Sequence, residues 1–344
     1  MKFKIFCLGA LALFVALGLF LNAGEFKSVS DLAGNEVKVP AKVDKIAALW
    51  PANTQILLIL KAADKIVATS EHITKNAWFA RVFPPIADVK TKFSGNSVNI
   101  EELFAANPDV VIVSNKNLRD SLAKNGFNAL FAGFGDYEGM QKSVLMSARI
   151  IGGEAEQRAR EFNAYLAQNI DKVAARTKDL AHEKRPKVLH IVSGADLLKI
   201  DGTNNMINTW IELAGGTNAI KKEGIMLEIT AEEVIAANPD IIIAGNSKAD
   251  EVLAKIYAEP RFSGLNAVKN KRVYANPSGF FSWDRYGAEA ALQILWAAKT
   301  IQPEIFADID VRAETKAFYK KFMNYELSDA EFEHILKGLS PNGE

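Results

Sequence analysis

Four histidines, one cysteine and a loop that mixes aromatics with an arginine are the side chains of this sequence best suited to chemistry. The histidines are His72, His182, His190 and His334, and none forms an H-E-x-x-H pair. Neither a G-x-x-x-x-G-K-S/T phosphate loop nor a G-x-S-x-G elbow occurs. A transition-metal site needs several His and carboxylate groups on converging elements. His182 ends a long helical stretch and His334 lies near the C-terminus. Only His72 and His190 remain, so no protein-held metal, no cofactor and no catalytic residue is expected. Cys7 falls in an N-terminal apolar run, so the rest of the chain has no disulfide, thiolate metal ligand or cysteine nucleophile.

What remains is binding. In an open parallel sheet a ligand sits beyond the carboxyl ends of the strands. Trp50 and Asn53, His72, and Lys116 follow three predicted strands in the first half of the chain, and Asp196 follows one in the second half. His190 lies inside an apolar strand and reads as a core residue satisfied by neighbours. The loop Pro277 to Tyr286 carries Phe280, Phe281, Trp283, Arg285 and Tyr286. At least two of these aromatics are expected to pack the halves together. Trp283 and Arg285 are the leading ligand candidates, since an aromatic face plus a guanidinium suits an anionic, partly apolar molecule. The cleft set is therefore Trp50, Asn53, His72, Lys116, Asp196, Trp283, Arg285 and Tyr286.

The elements that must hold these residues repeat. Asn99 to Asn115 reads NIEELFAANPDVVIVSN, and Thr230 to Asn246 reads TAEEVIAANPDIIIAGN. Nine of the seventeen positions are identical at an offset of 131 residues. Each copy spells a short helix, an Asn-Pro stop and a buried strand. A repeated unit implies two lobes of like make, and it places Glu101 and Glu232 at the same position on each. Elsewhere the sequence predicts a β-ribbon over 27–40, strands near 45–49, 66–70, 128–132, 187–192 and 272–275, and helices over 138–151, 285–300, 311–323 and 328–337. Asn53 is expected to cap a helix ending near Ala63. Residues 154–181 hold no Gly or Pro and predict one helix of about 40 Å, a stiff link between lobes.

The N-terminus reads as a cleavable export signal over residues 1–23: Lys2 and Lys4, an apolar run from Ile5 to Leu21, and Ala23 at the cut. The chain beyond that signal exceeds one ordinary core, so two domains are expected: 24–153, an interlobe helix over 154–183, and 184–344 with terminal helices. Counts of 41 basic and 41 acidic residues give no electrostatic footprint for nucleic acid.

Taken in order, several motifs resemble the substrate-binding proteins of bacterial ABC importers for ferric siderophores, haem, cobalamin and related metal complexes. The carriers are Ile46 to Gln55, Asn99-Ile100-Glu101 with Asn107 to Ile112, Ala214 to Asn218, Trp283-Asp284-Arg285 with Trp296 to Lys299, Pro303 to Asp310, and Phe318-Tyr319. The resemblance spans almost all of the chain beyond the signal. It implies an α/β fold of two Rossmann-like lobes with mainly parallel sheets joined by one long helix, the class III periplasmic binding protein. It implies a periplasmic monomer that captures an iron or other metal complex between the lobes and performs no catalysis. It also implies docking on a dimeric inner-membrane permease through one glutamate per lobe, here Glu101 and Glu232, with neighbours Glu102 and Glu233 as the alternatives. Siderophore, haem, corrinoid, nickel chelate and a molybdate- or tungstate-type oxyanion all stay open as ligand. A secreted two-lobe enzyme and a sensor for the same ligand are the readings from other classes. Nitrogenase-like and glycosyltransferase chemistry lack, respectively, the cysteines and the phosphate loop they need.

Overall fold

The repeat builds the same local structure twice. In the computed structural model, which describes residues 25–93 and 98–344, both copies end their helix on an asparagine with left-handed backbone, Asn107 at φ 48° and Asn238 at φ 41°. Asparagine tolerates this region better than most residues, and the proline after it cannot continue a helix. The aspartate after the proline then pins a neighbouring strand. Asp109 Oδ2 accepts from the backbone N–H groups of Asp44 and Lys45 at 2.7 and 2.8 Å. Asp240 Oδ2 accepts from Lys187 N at 2.9 Å. Asn-Pro-Asp is thus a helix stop joined to a strand staple.

The strands after these staples are Val-Val-Ile-Val and Ile-Ile-Ile-Ala, buried at every residue, as strands covered on both faces must be. The antiparallel ribbon is β1 (Phe26–Ser30) and β2 (Glu36–Pro40). The first lobe holds β3 (Ile46–Ala48), β4 (Ile66–Ser70), β5 (Thr91–Phe93), β6 (Val110–Val113) and β7 (Ala129–Phe131). All five are parallel, in the order β5-β4-β3-β6-β7. The second lobe holds β8 (Lys187–Ser193), β9 (Asp196–Asp201), β10 (Thr217–Asn218), β11 (Leu227–Glu228), β12 (Ile241–Ala244) and β13 (Val273–Ala275). Its order is β11-β9-β8-β12-β13, with β10 also paired to β8. The β8–β12 and β12–β13 pairs are parallel, whereas β9 turns back antiparallel to β8 and pairs β11. Each lobe therefore has its topological switch beside the repeat strand, between β3 and β6 and between β8 and β12.

Helix Tyr137–Ile151 breaks at Gly152 and Gly153, both at positive φ, and the long helix Glu154–Thr177 begins. It is four residues shorter than the Gly- and Pro-free stretch predicts, and its 24 residues span about 36 Å. Its buried stripe is Ala155, Arg158, Ala159, Phe162, Leu166, Asn169, Val173 and Thr177. The spacing follows the helical period. Polar members of the stripe tie distant elements: Arg158 donates to the carbonyls of Ile59 and Phe322, Asn169 to Ala291, and Thr177 to Leu213. The C-terminal helices Val311–Met323 and Asp329–Leu336 lie across both lobes. Tyr319 stacks on Phe280 and meets Trp78 edge-on, and Trp78 Nε1 donates to Leu339 O. Such ties oppose wide opening of the lobes.

Two local expectations are corrected. Asn53 does not cap its helix. The helix Pro51–Ile59 starts on its proline with Trp50 at the N-cap, and proline is favoured there because its missing N–H is no loss. The helix expected over 285–300 starts only at Ala290, because Arg285 to Glu289 are bent into side-chain and interlobe contacts. The export signal over 1–23 lies outside the described residues.

Candidate functional site

The carboxyl ends of the parallel strands bring three rings together. Trp50 follows β3, Phe134 follows β7, and Tyr286 comes from the loop beyond β13. Ring centroids lie 4.9 Å apart for Trp50–Phe134, 5.9 Å for Trp50–Tyr286 and 6.0 Å for Phe134–Tyr286. All three rings are half-buried. The trio therefore crosses from one lobe to the other, each residue partly exposed. Nearby, His72 after β4 is exposed and meets Phe281 edge-on at 5.6 Å. Asn76 Nδ2 donates to Phe280 O at 2.8 Å. Gln55 Oε1 accepts from Ala288 N at 3.0 Å. Together these contacts close one flank of the cleft.

Behind Tyr286 lies a buried charge network. His190 Nδ1 is 2.9 Å from Asp201 Oδ2, and its Nε2 is 2.8 Å from Asp284 Oδ2. Arg285 Nη2 donates to the same Asp201 oxygen at 2.9 Å. Burial alone would lower the His190 pKa, but hydrogen bonds and charge from both aspartates outweigh it and raise it. Burial pushes Asp201 and Asp284 up, yet His190 and Arg285 hold both carboxyls well below the ordinary range. The Arg285 guanidinium and the His190 ring thus face the two aspartates. Two atoms in it stay buried without a hydrogen-bond partner, Arg285 Nη1 and Asp284 Oδ1. Met226 N also donates to Asp201. The Met226 side chain is exposed beside this network, on left-handed backbone at φ 54°.

A second buried carboxyl, Glu289, takes hydrogen bonds from Tyr319 Oη, Trp283 Nε1 and Phe281 N. Burial outweighs these donors and pushes its pKa up to about 7. This carboxyl explains the place of Trp283, which is fully buried. Trp283 packs the interior of the loop and offers no face to the cleft. Asn53 is also fully buried, 3.5 Å from Ser143 Oγ. Of the sequence-derived cleft set, Trp50 and Tyr286 come together, and Arg285 stands behind them, 7% exposed. His72 flanks the trio. Lys116 is exposed over the Phe131 ring at 5.4 Å, on the β6 rim. Asp196 is exposed at the start of β9, just after the turn from β8, where its carboxylate accepts from Leu198 N.

Phe134 and Met226 lie outside the expected cleft set, as does Phe281, which the sequence offers only as a packing aromatic of its loop. Phe134 had a signal, since Gly133-Phe134-Gly135 puts an aromatic between glycines after a predicted strand. The Asp201–His190–Asp284 network had none, because its members are 11 and 94 residues apart. Cavities of about 740 and 630 Å³ open elsewhere, at the amino ends of the second-lobe strands. We assign the site to the carboxyl ends instead, because the aromatic and charged side chains converge there.

Two like lobes, one long helix between them and an aromatic cleft at the facing strand ends describe the architecture. The sequence profile of the periplasmic binding protein family matches residues 46–279. This chain belongs to that family. The periplasmic solute-binding protein of Veillonella parvula superposes with a TM-score of 0.80 at 27% identity, over 92% of this chain and 99% of that one. The molybdate-binding protein MolA of Haemophilus influenzae is 24% identical over 86% of this chain and 90% of its own length. Its molybdate-bound structure superposes with a TM-score of 0.77, over 88% of this chain and 99% of that one, at 21% identity. The ABC transporter substrate-binding lipoprotein YvrC of Bacillus subtilis is 24% identical over 72% of this chain and 77% of its own length. These relatives are substrate-binding proteins. In this periplasmic binding protein, no helix among the described residues is long and apolar enough to cross a membrane.

Proposed function

We propose that this chain is an extracytoplasmic binding protein that captures a metal complex, of the ferric siderophore kind, between its lobes and delivers it to an ABC permease. The carrying observation is the partly exposed ring cluster of Trp50, Phe134 and Tyr286 across the cleft. Ring faces reward the flat, partly apolar organic shell of a chelate. The Arg285–Asp201 ion pair behind Tyr286 suits a ligand of low net charge, since the guanidinium already meets a carboxylate. Binding is the whole task, with no cofactor and no catalysis. The chain acts in the periplasm as a monomer, and the export reading of residues 1–23 is the basis for that location.

A second reading is a molybdate-type oxyanion. It is favoured by Arg285 Nη1, a buried donor without a partner, and by the likeness to MolA. Docking is assigned to Glu101 and Glu232. Both are exposed in the first turn of their helices. Glu233 is engaged in a capping box with Thr230 and an ion pair with Lys222, and Glu102 accepts from Asn99 Nδ2. Glu101 has no ion-pair partner among the described residues, which leaves it free for a permease arginine.

Calorimetric titration with ferric siderophores, haem, cobalamin and molybdate tests the ligand reading. Binding of a chelate supports the first reading, and binding of molybdate alone supports the second. Loss of uptake in Glu101→Arg with Glu232→Arg, at unchanged ligand affinity, is expected for docking. Normal uptake in that variant counts against it.

A further inference from the structure

The two repeat helices share more than a glutamate. Each runs back along the parallel strand that comes after it, so its N-terminal turn stands at the cleft rim of its lobe. Leu103 and Val234, at matched positions, are fully buried and fill the inward side. The next residues, Phe104 and Ile235, are matched by the same offset of 131 and point outward, 54% and 48% exposed. Each lies three residues after its glutamate, on the same helix face. A single exposed apolar side chain needs no explanation. The same exposure at the same position in both lobes does. Among the described residues only six large apolar side chains are exposed, and two of them form this pair. Neither is needed by the core, which closes beneath them through Leu103 and Val234. Phe104 is also braced by Phe127, ring centroids 4.4 Å apart, so its ring is held in place rather than left to rotate freely.

We propose that Phe104 and Ile235 are twin apolar anchors for the two equivalent halves of a dimeric permease. This rests on the docking reading above and names what holds the complex once charge has brought it together. Charge and symmetry favour this occupant over a second copy of the chain. Glu101 and Glu232 offer acidic groups to a basic partner surface, with Arg261 beside Glu232 and Lys222 beside Glu233. A pair of like anchors, one per lobe, matches a partner whose own two halves are alike. Exposed ion pairs contribute little net affinity and weaken in salt. An apolar side chain at the centre of a contact contributes more and is insensitive to salt.

The test uses right-side-out membrane vesicles from the source cells, full-length labelled protein, and a benzoylphenylalanine photocrosslinker at position 104 or 235. Both positions should crosslink to the same polypeptide, identified by mass spectrometry as a multi-spanning permease subunit. Phe104→Ala with Ile235→Ala should weaken vesicle binding by about tenfold or more, and the loss should persist at high salt. Tyr257→Ala, at another exposed aromatic, should leave binding unchanged. If the alanine pair binds within twofold of the parent while Glu101→Lys with Glu232→Lys does not bind, the anchors are refuted and the docking glutamates stand. If neither pair changes binding, both ideas fall. Crosslinks from only one position, or to two unlike proteins, also overturn the proposal.

Discussion

Replacing Glu289 by glutamine should flatten the pH dependence of stability. Glu289 is fully buried, and burial raises its carboxyl from 4.5 to about 7 despite hydrogen bonds from Tyr319, Phe281 and Trp283. A raised carboxyl favours the protonated form when folded. Its contribution is therefore complete below pH 4.5, where folded and unfolded chains are both protonated. It is lost as pH rises through about 7, where only the folded chain still resists ionisation. A shift of this size corresponds to about 3 kcal/mol. His190 is also raised, so its contribution too fades as pH rises, and the parent protein alone cannot separate the two groups. The difference between parent and Glu289→Gln can. Urea unfolding of both proteins at pH 4.5 and pH 8 should show the parent losing roughly 3 kcal/mol more than the variant over that interval. Equal losses would mean that Glu289 is not a proton-holding buried acid.

Other expectations rest on the same contacts. Asp109→Ala and Asp240→Ala each remove a strand staple and should cost about 2 kcal/mol in urea unfolding, with nearly additive effects because they lie in separate lobes. Arg285→Met strands two buried aspartates with only His190 to balance them, and should cost about 3–5 kcal/mol. That loss should shrink as pH falls and the aspartates protonate, which unfolding at pH 3 and pH 7 would reveal. Trp50→Ala with Tyr286→Ala should lower ligand affinity by about tenfold or more. The melting temperature should move little, because both rings are only half-buried.

The repeat made the fold readable. Asn-Pro-Asp before a β-branched run states a helix stop and a buried strand in local terms, and it does so twice. The long helix was readable for the same reason, as an uninterrupted run of good helix formers. The site was less so. Trp50 and Tyr286 could be placed at strand ends, but nothing local says which way a side chain in a bent loop points. Trp283 turned inward because Glu289, six residues on, needs donors, and that partnership forms only after burial. Asn53 was misread as a cap although the proline before it marked the first helical position. The β9 strand is hard to read because Asp196, Lys199 and Asp201 interrupt its apolar residues. Asp196 serves a local turn, whereas the partners of Asp201 lie 11 and 84 residues away in sequence.

The central claim is that a metal complex binds on the aromatic cleft. Its most direct test is calorimetric titration of the purified protein, and of Trp50→Ala with Tyr286→Ala, against ferric siderophores, haem, cobalamin and molybdate. Saturable one-to-one binding of a metal chelate by the parent, weakened at least about tenfold in the double variant, is the result expected. No binding to any member of the panel, or binding that the double variant leaves intact, would contradict it.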